Sequence, residues 1–140
     1  MSPDDIPLLF RQPSRGLNRG ELGAFLRRIA RGRKVCCLIT DDAELRRLNR
    51  QFRGKNYATD VLSFPSGDGG DIAISLDRAR AQAAGHGHGV MDEIRILMLH
   101  GMLHLRGMDH DNDSGEMARA ETRWRRRLGL PAGLIERERR

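Results

Sequence analysis

Met91-Asp92-Glu93-Ile94-Arg95-Ile96-Leu97-Met98-Leu99-His100-Gly101-Met102-Leu103-His104-Leu105 is the stretch on which the fold turns. Ile94, Ile96, Leu97, Met98, Leu99, Met102, Leu103 and Leu105 cover most of the circumference of a helix drawn over it. A helix that is apolar nearly all round belongs in the interior rather than on a wet face. Gly107 is placed to end it. Two of its few polar residues, His100 and His104, stand four apart, so they share one side about 6 Å apart along the axis.

Amphipathic elements surround this helix on both sides. Leu22, Phe25, Leu26 and Ile29 repeat at helical spacing, and Asn18 with Glu21 resembles a capping box. Gly32 stops that helix, and Lys34–Thr40 reads as a strand. Asp41 and Glu44 open a second helix that buries Leu45, Leu48 and Phe52 and ends at Gly54. Val61–Phe64 and Asp71–Ile74 read as strands flanking a glycine-rich turn, Ser66–Gly70. Leu76–Ala84 is an alanine-rich helix, broken by Gly85-His86-Gly87-His88-Gly89. A last helix starts near Asp113, buries Met117, Ala120, Trp124 and Leu128, and stops at Gly129 and Pro131. Ile6–Phe10, interrupted by Pro7, fits an edge strand. The expected architecture is α+β: a single domain over residues 1–140, with a small mixed sheet, helices packed on it, and a charged tail from about 135.

A chain of 140 residues buries roughly two thirds of its extended surface. Its 39% hydrophobic and 31% charged content argue against global disorder. No run approaches the ~18 apolar residues of a membrane span, and Met1-Ser2-Pro3-Asp4-Asp5 lacks the apolar stretch of a signal peptide. Cys36 and Cys37 are neighbours in a strand, point to opposite faces and are poorly placed to pair. A reducing cytoplasm is the expected compartment. The net charge of +6 points to an anionic partner, nucleic acid first. Arg123, Arg125, Arg126 and Arg127 form the densest basic patch, suited to RNA phosphates or to solvent. With aromatics at 4%, no aromatic base-stacking platform is expected.

The histidines carry the chemistry. Beyond His100 and His104, Gly107 lets the chain leave the helix sharply and bring His110 back as a third ligand. Three neutral imidazoles hold an ion such as zinc and leave a position open, which is the donor set of a catalytic site. The spacing is also that of metzincin peptidases, H-E-x-x-H-x-x-G-x-x-H, but Gly101 stands where those enzymes carry their glutamate base. The cage is shared, whereas proteolysis by that route lacks its base. His86 and His88 read as loop residues.

His100-Gly101-Met102-Leu103-His104-Leu105-Arg106-Gly107-Met108-Asp109-His110 resembles the signature of the YbeY family of bacterial endoribonucleases and rRNA maturation factors. Leu48-Asn49-Arg50-Gln51-Phe52-Arg53-Gly54-Lys55, Thr59-Asp60-Val61-Leu62-Ser63-Phe64-Pro65 and Gly70-Asp71-Ile72-Ala73-Ile74 match it in order and spacing, so the resemblance covers roughly residues 35–130. Met108 departs from it where a tyrosine is usual, and Arg106 where an aliphatic residue is common.

The resemblance implies a zincin-like fold with one Zn2+ on His100, His104 and His110. It implies a single-strand-specific endoribonuclease of rRNA maturation, including the small-subunit 3′ end, and of ribosome quality control. The implied partners are rRNA and the small ribosomal subunit, with a ribosomal protein and a ribosome-assembly GTPase beside them. The family's functional arginine falls on Arg53, whose planar fork suits a phosphate. Asp109 and Asp71 are candidates to support the site, Asp109 by orienting an imidazole. Lys55 is a candidate phosphate contact. Two nucleophiles remain open, water activated by the metal or the RNA's own 2′-hydroxyl. The competing reading is a ribosome assembly factor whose metal is mainly structural.

Overall fold

The computed structural model describes residues 8–132 and 134–138. Its strands are β1 (Leu8–Phe10), β2 (Val35–Thr40), β3 (Val61–Ser66) and β4 (Gly69–Ser75). Its helices are α1 (Arg19–Ala30), α2 (Asp42–Arg53), α3 (Leu76–His86), α4 (Val90–Leu105), α5 (Glu116–Leu128) and α6 (Leu134–Glu138). The strands form one sheet in the order β1-β2-β4-β3. β1, β2 and β4 run parallel, and β3 lies antiparallel on the edge. The expected α+β architecture with a small mixed sheet is the one observed.

Local chemistry sets the helix starts. The Asn18 side chain accepts from the Glu21 N–H at 3.0 Å, and Asp41 accepts from the Glu44 N–H at 2.9 Å. Each satisfies a donor that the first turn leaves open. Alternation along β4 then divides the core. Ile72 and Ile74 face the cluster containing Ile94, Leu97 and Met98 of α4, whereas Ala73 faces Leu45 of α2. Helices α4 and α2 therefore cover opposite faces of the sheet. On its far side α4 meets Met117 and Ala120 of α5 through Ile96, Leu99 and Leu103. A wrapped position of this kind gives about 1.5–3 kcal/mol for each fully buried aliphatic side chain.

Gly101 lets α4 lie close to the sheet. A Cβ there would sit 2.9 Å from Ile72 Cγ2 and 3.1 Å from Ser63 Oγ. The freed space admits a bond from the Ser63 hydroxyl to the Gly101 carbonyl at 2.9 Å. Glycine at this position thus serves packing first.

Several expectations shift. The helix expected over Leu76–Ala84 runs on to His86, because a single helical glycine at Gly85 costs only about 1 kcal/mol and Gly87, at φ 71°, is the residue that ends it. The β3–β4 strands extend so far that the turn shrinks to Gly67-Asp68. Phe52, expected inside, is 60% exposed, and Asn49 takes the buried place on α2. The charged tail expected from about 135 is helical through 138. Ile135 is buried in the α5 cluster, and Arg137 grips Glu93 with both guanidinium nitrogens at 2.9 and 3.0 Å. Of the edge strand expected over Ile6–Phe10, Ile6 and Pro7 lie outside the described residues. Among the described residues no helix is long and apolar enough to cross a membrane.

Candidate metal centre

The three histidines converge. His100 and His104 project from the last turns of α4, and Gly107, at φ 87°, turns the chain so that His110 faces them. Ring centroids stand 4.8, 5.6 and 5.8 Å apart, and one donor atom from each residue falls within 4.8 Å of the others. Nitrogens around a tetrahedral ion with bonds of about 2.0–2.1 Å lie roughly 3.3 Å apart, so the trio needs only a small contraction to hold one.

The tautomers test the fit further. His104 Nδ1 lies 2.9 Å from the Met108 carbonyl, which can only accept, so that nitrogen carries the proton. His100 Nδ1 likewise faces the Glu121 carboxylate at 3.1 Å. When both rings are neutral, as metal binding requires, each Nε2 lone pair is bare, and these two atoms face each other at 3.1 Å. Two lone pairs at that distance repel unless a cation lies between them. Burial first, then the neighbouring His100 and His110 rings, push His104 below the usual imidazole range, against the pull of Met108 and Asp109. A proton is thus disfavoured on His104, and a metal ion fits the donor set.

Two supports escaped sequence reasoning. Glu121 is 1% exposed, accepts from His100, and with its other oxygen accepts the Ile135 N–H at 2.9 Å. Its signal was an acid on the buried stripe of α5, between Met117 and Trp124. The Met108 carbonyl carried no signal, since any residue supplies one.

Other candidates are scattered. Asp109 is exposed and organises the turn, accepting from the Asn112 side chain at 2.6 Å and the Asp111 N–H at 3.1 Å. Those bonds, with lesser help from His104 and His110, hold its carboxyl below the usual range. Asp113, just ahead of α5, accepts from the Met117 and Gly115 N–H groups, which likewise lowers its carboxyl. Asp71 lies on β4 beside Ile72, so it points to the other face from α4 and lines a groove with Arg33 and Lys34.

Arg53 ends α2 and is exposed, with exposed Lys55 just beyond. α2 covers the face of the sheet opposite α4, and no bond ties either cation to the histidines. Nearby, the Phe52 ring meets Phe64 edge-on at 5.5 Å. Helical spacing spreads the α5 arginines: Arg125 bonds the Leu130 carbonyl, Arg127 stacks on Trp124, and Arg123 and Arg126 are exposed.

Known proteins resemble this chain over most of its length. Residues 22–129 match a family model described as Endoribonuclease YbeY. The chain is similar to a Solibacter usitatus protein of that name, at 58% identity over 97% of each chain. It is similar to a Koribacter versatilis protein of the same name, at 46% identity over 93% of this chain and 90% of the other. Among solved structures, the solution structure of a Thermotoga maritima protein matches at a TM-score of 0.55 and 27% identity, covering 84% of each chain.

Proposed function

Because this chain belongs to the endoribonuclease YbeY family, we propose that it is a zinc-dependent endoribonuclease that cuts single-stranded segments of ribosomal RNA. Its place is in rRNA maturation, including the small-subunit 3′ end, and in ribosome quality control. The observation that carries the metal-dependent part is the pair of bare Nε2 atoms of His100 and His104 facing each other at 3.1 Å, with His110 beside them.

His100, His104 and His110 are the residues that would hold the ion. Once bound, it supplies Lewis acidity and positive charge beside the scissile phosphate. Glu121 and the Met108 carbonyl fix the orientation of two rings and raise their basicity as ligands. Arg53 is assigned to the phosphate as a bidentate donor, on RNA that passes round the β3 edge of the sheet. Gly101 brings no carboxylate to the site, so peptide hydrolysis of the metzincin kind lacks its base. The attacking group is water or the RNA's own 2′-hydroxyl, and a substrate with a 2′-deoxy sugar at the cut separates them.

The test is incubation of metal-loaded protein with a single-stranded rRNA fragment and with casein, beside His104→Ala. Elemental analysis of both proteins accompanies it. RNA cleavage that disappears with the metal in the variant is the expected result. Uncut RNA with tight binding to the small subunit would replace this reading by that of an assembly factor. Arg53→Ala separates the clamp from the cage: metal content is retained and cleavage falls by about 100-fold or more, in the range lost with one preorganised donor.

A further inference from the structure

The guanidiniums of Arg31, Arg106 and Arg127 converge on one indole. They lie 5.1, 5.6 and 5.6 Å from the centre of the Trp124 ring. Arg33 follows Arg31 by two residues and adds its charge at the same end of α1. Among the described residues no carboxylate pairs with any of these four. Such crowding opposes folding through like-charge repulsion, and an anionic ligand relieves it.

The backbone is shaped to the same end. Arg31, at φ 53° and ψ 49°, is the one described non-glycine residue with positive φ. This conformation is unfavourable for a side chain with a Cβ, and glycine is the usual occupant of such a cap. Here the position carries a cation to the Trp124 face. Arg106, the residue that caps α4, is held by the Ile29 carbonyl. Arg33 also lines a groove of about 850 Å³, together with Arg27, Lys34, Asp68 and Asp71.

We propose that this cluster and groove form a second RNA contact, an anchor for the ribose-phosphate backbone away from the bond that is cut. The choice of RNA rests on the endoribonuclease reading and on the side chains themselves. Lys34 and Lys55 are the only lysines among the 25 basic residues of the chain, so the cationic surface is almost wholly guanidinium. Guanidiniums pair with phosphate in bidentate fashion and also stack on bases, which a lipid headgroup does not offer. The sugar–phosphate edge belongs beside Arg27, Arg33 and Lys34. Asp68 and Asp71 repel phosphate and accept from base amino groups, which orients the strand across the groove.

Arg106 follows His104 by two residues, about 200° round the axis of α4. The anchor therefore borders the end of the helix that carries the metal ligands but faces the other way. A long single strand reaches both places by passing round the Gly107 turn. A dinucleotide reaches only the histidines.

Two measurements test this. In metal-free protein carrying His104→Ala, the affinity for a labelled single-stranded RNA is followed against salt, with and without Arg31→Gln, Arg33→Gln and Arg127→Gln together. The expected result is a logarithmic salt slope shallower by about 2, at roughly 0.7 per lost phosphate contact, and affinity lower by about tenfold. In the zinc-loaded protein the same three changes raise KM for the long RNA, leave kcat, and leave dinucleotide cleavage unaltered. Lysine at all three positions keeps the salt slope, which separates lost charge from lost folding. An unchanged slope and KM in the glutamine variant overturn the anchor, as does tighter binding of phosphatidylglycerol vesicles than of RNA. A wild-type protein that cuts no RNA, yet shows the altered slope in the variant, overturns the endoribonuclease reading and leaves the anchor standing.

Discussion

Glu121 of α5 stands 3.1 Å from Nδ1 of His100 on α4, and both side chains are buried. The carboxylate fixes the ring that points its other nitrogen at His104, and its second oxygen fastens Ile135. Removing it acts twice. Glu121→Ala is expected to weaken metal binding by about 10–100-fold, the usual effect of losing such a partner. It also costs about 1–3 kcal/mol for the unpaired polar groups left behind. Competition against a chromophoric chelator reads the first effect, and urea unfolding of metal-free protein reads the second. Wild-type metal affinity in the variant would show that the carboxylate does not support the ligand.

Gly101→Ala sets two effects against each other. Alanine gains about 1 kcal/mol of helix propensity over glycine. Its Cβ would lie 2.9 Å from Ile72 Cγ2, on a side chain held in the core, and overpacking of this kind costs about 1–3 kcal/mol. The clash wins, and the expected outcome is a net loss of about 1 kcal/mol in urea unfolding. Gly101→Glu adds an unpaired carboxylate between helix and sheet and should leave no folded protein, so restoring the metzincin glutamate cannot restore proteolysis. A stable Gly101→Glu protein would contradict this account.

Glu93 is fully buried, held by both guanidinium nitrogens of Arg137 and by His88 Nε2 at 2.6 Å. Glu93→Leu strands Arg137, whose side chain is 8% exposed, and is expected to cost about 3–5 kcal/mol. Replacing both residues by leucine should recover much of the loss. Equilibrium unfolding of the two singles and the double measures the coupling, and strict additivity would exclude it.

Glu44 accepts from the Thr40 hydroxyl at 2.7 Å and pairs with Arg47 and Arg11. Burial pushes its carboxyl up, but the bonds from Thr40 and Arg47 and the charges of Arg11 and Arg47 outweigh it and hold the group below its ordinary value. A depressed carboxyl stabilises the fold fully above the unfolded value of about 4.3 and loses that contribution as pH falls through the folded value. Glu44→Gln should therefore be the less stable protein at neutral pH, with the gap closing on acidification below about pH 4. A gap that is constant with pH would assign the effect to packing.

The histidine site was legible because its information is local. Spacing places His100 and His104 on one side of a helix, and one glycine returns His110 to them. The order of elements was legible for the same reason, since caps such as Asn18 and Asp41 act within four residues. The unread parts are long-range. Glu121 meets His100 across two helices, Gly101 answers to Ile72 in the sheet, and Ile135 finds its apolar pocket on α5. Phe52 shows the limit of periodicity: it continues the Leu45–Leu48 stripe, but it meets only the edge strand β3, through Phe64, and most of its ring stays exposed. Arg53 was singled out by resemblance, and its place at the end of α2, next to the Phe52–Phe64 contact on the edge strand β3, could not be read from spacing.

The two buried carboxylates also bear on where this chain tolerates being cut. Glu93, near the start of α4, is latched by Arg137, and Glu121, which steadies the metal end, is latched by Ile135. A protein clipped after Leu130 would retain all three imidazoles and lose both latches. Its affinity for a metal ion would drop although all three imidazoles remain, so the integrity of the carboxyl terminus is to be checked before any weak preparation is blamed on its histidines.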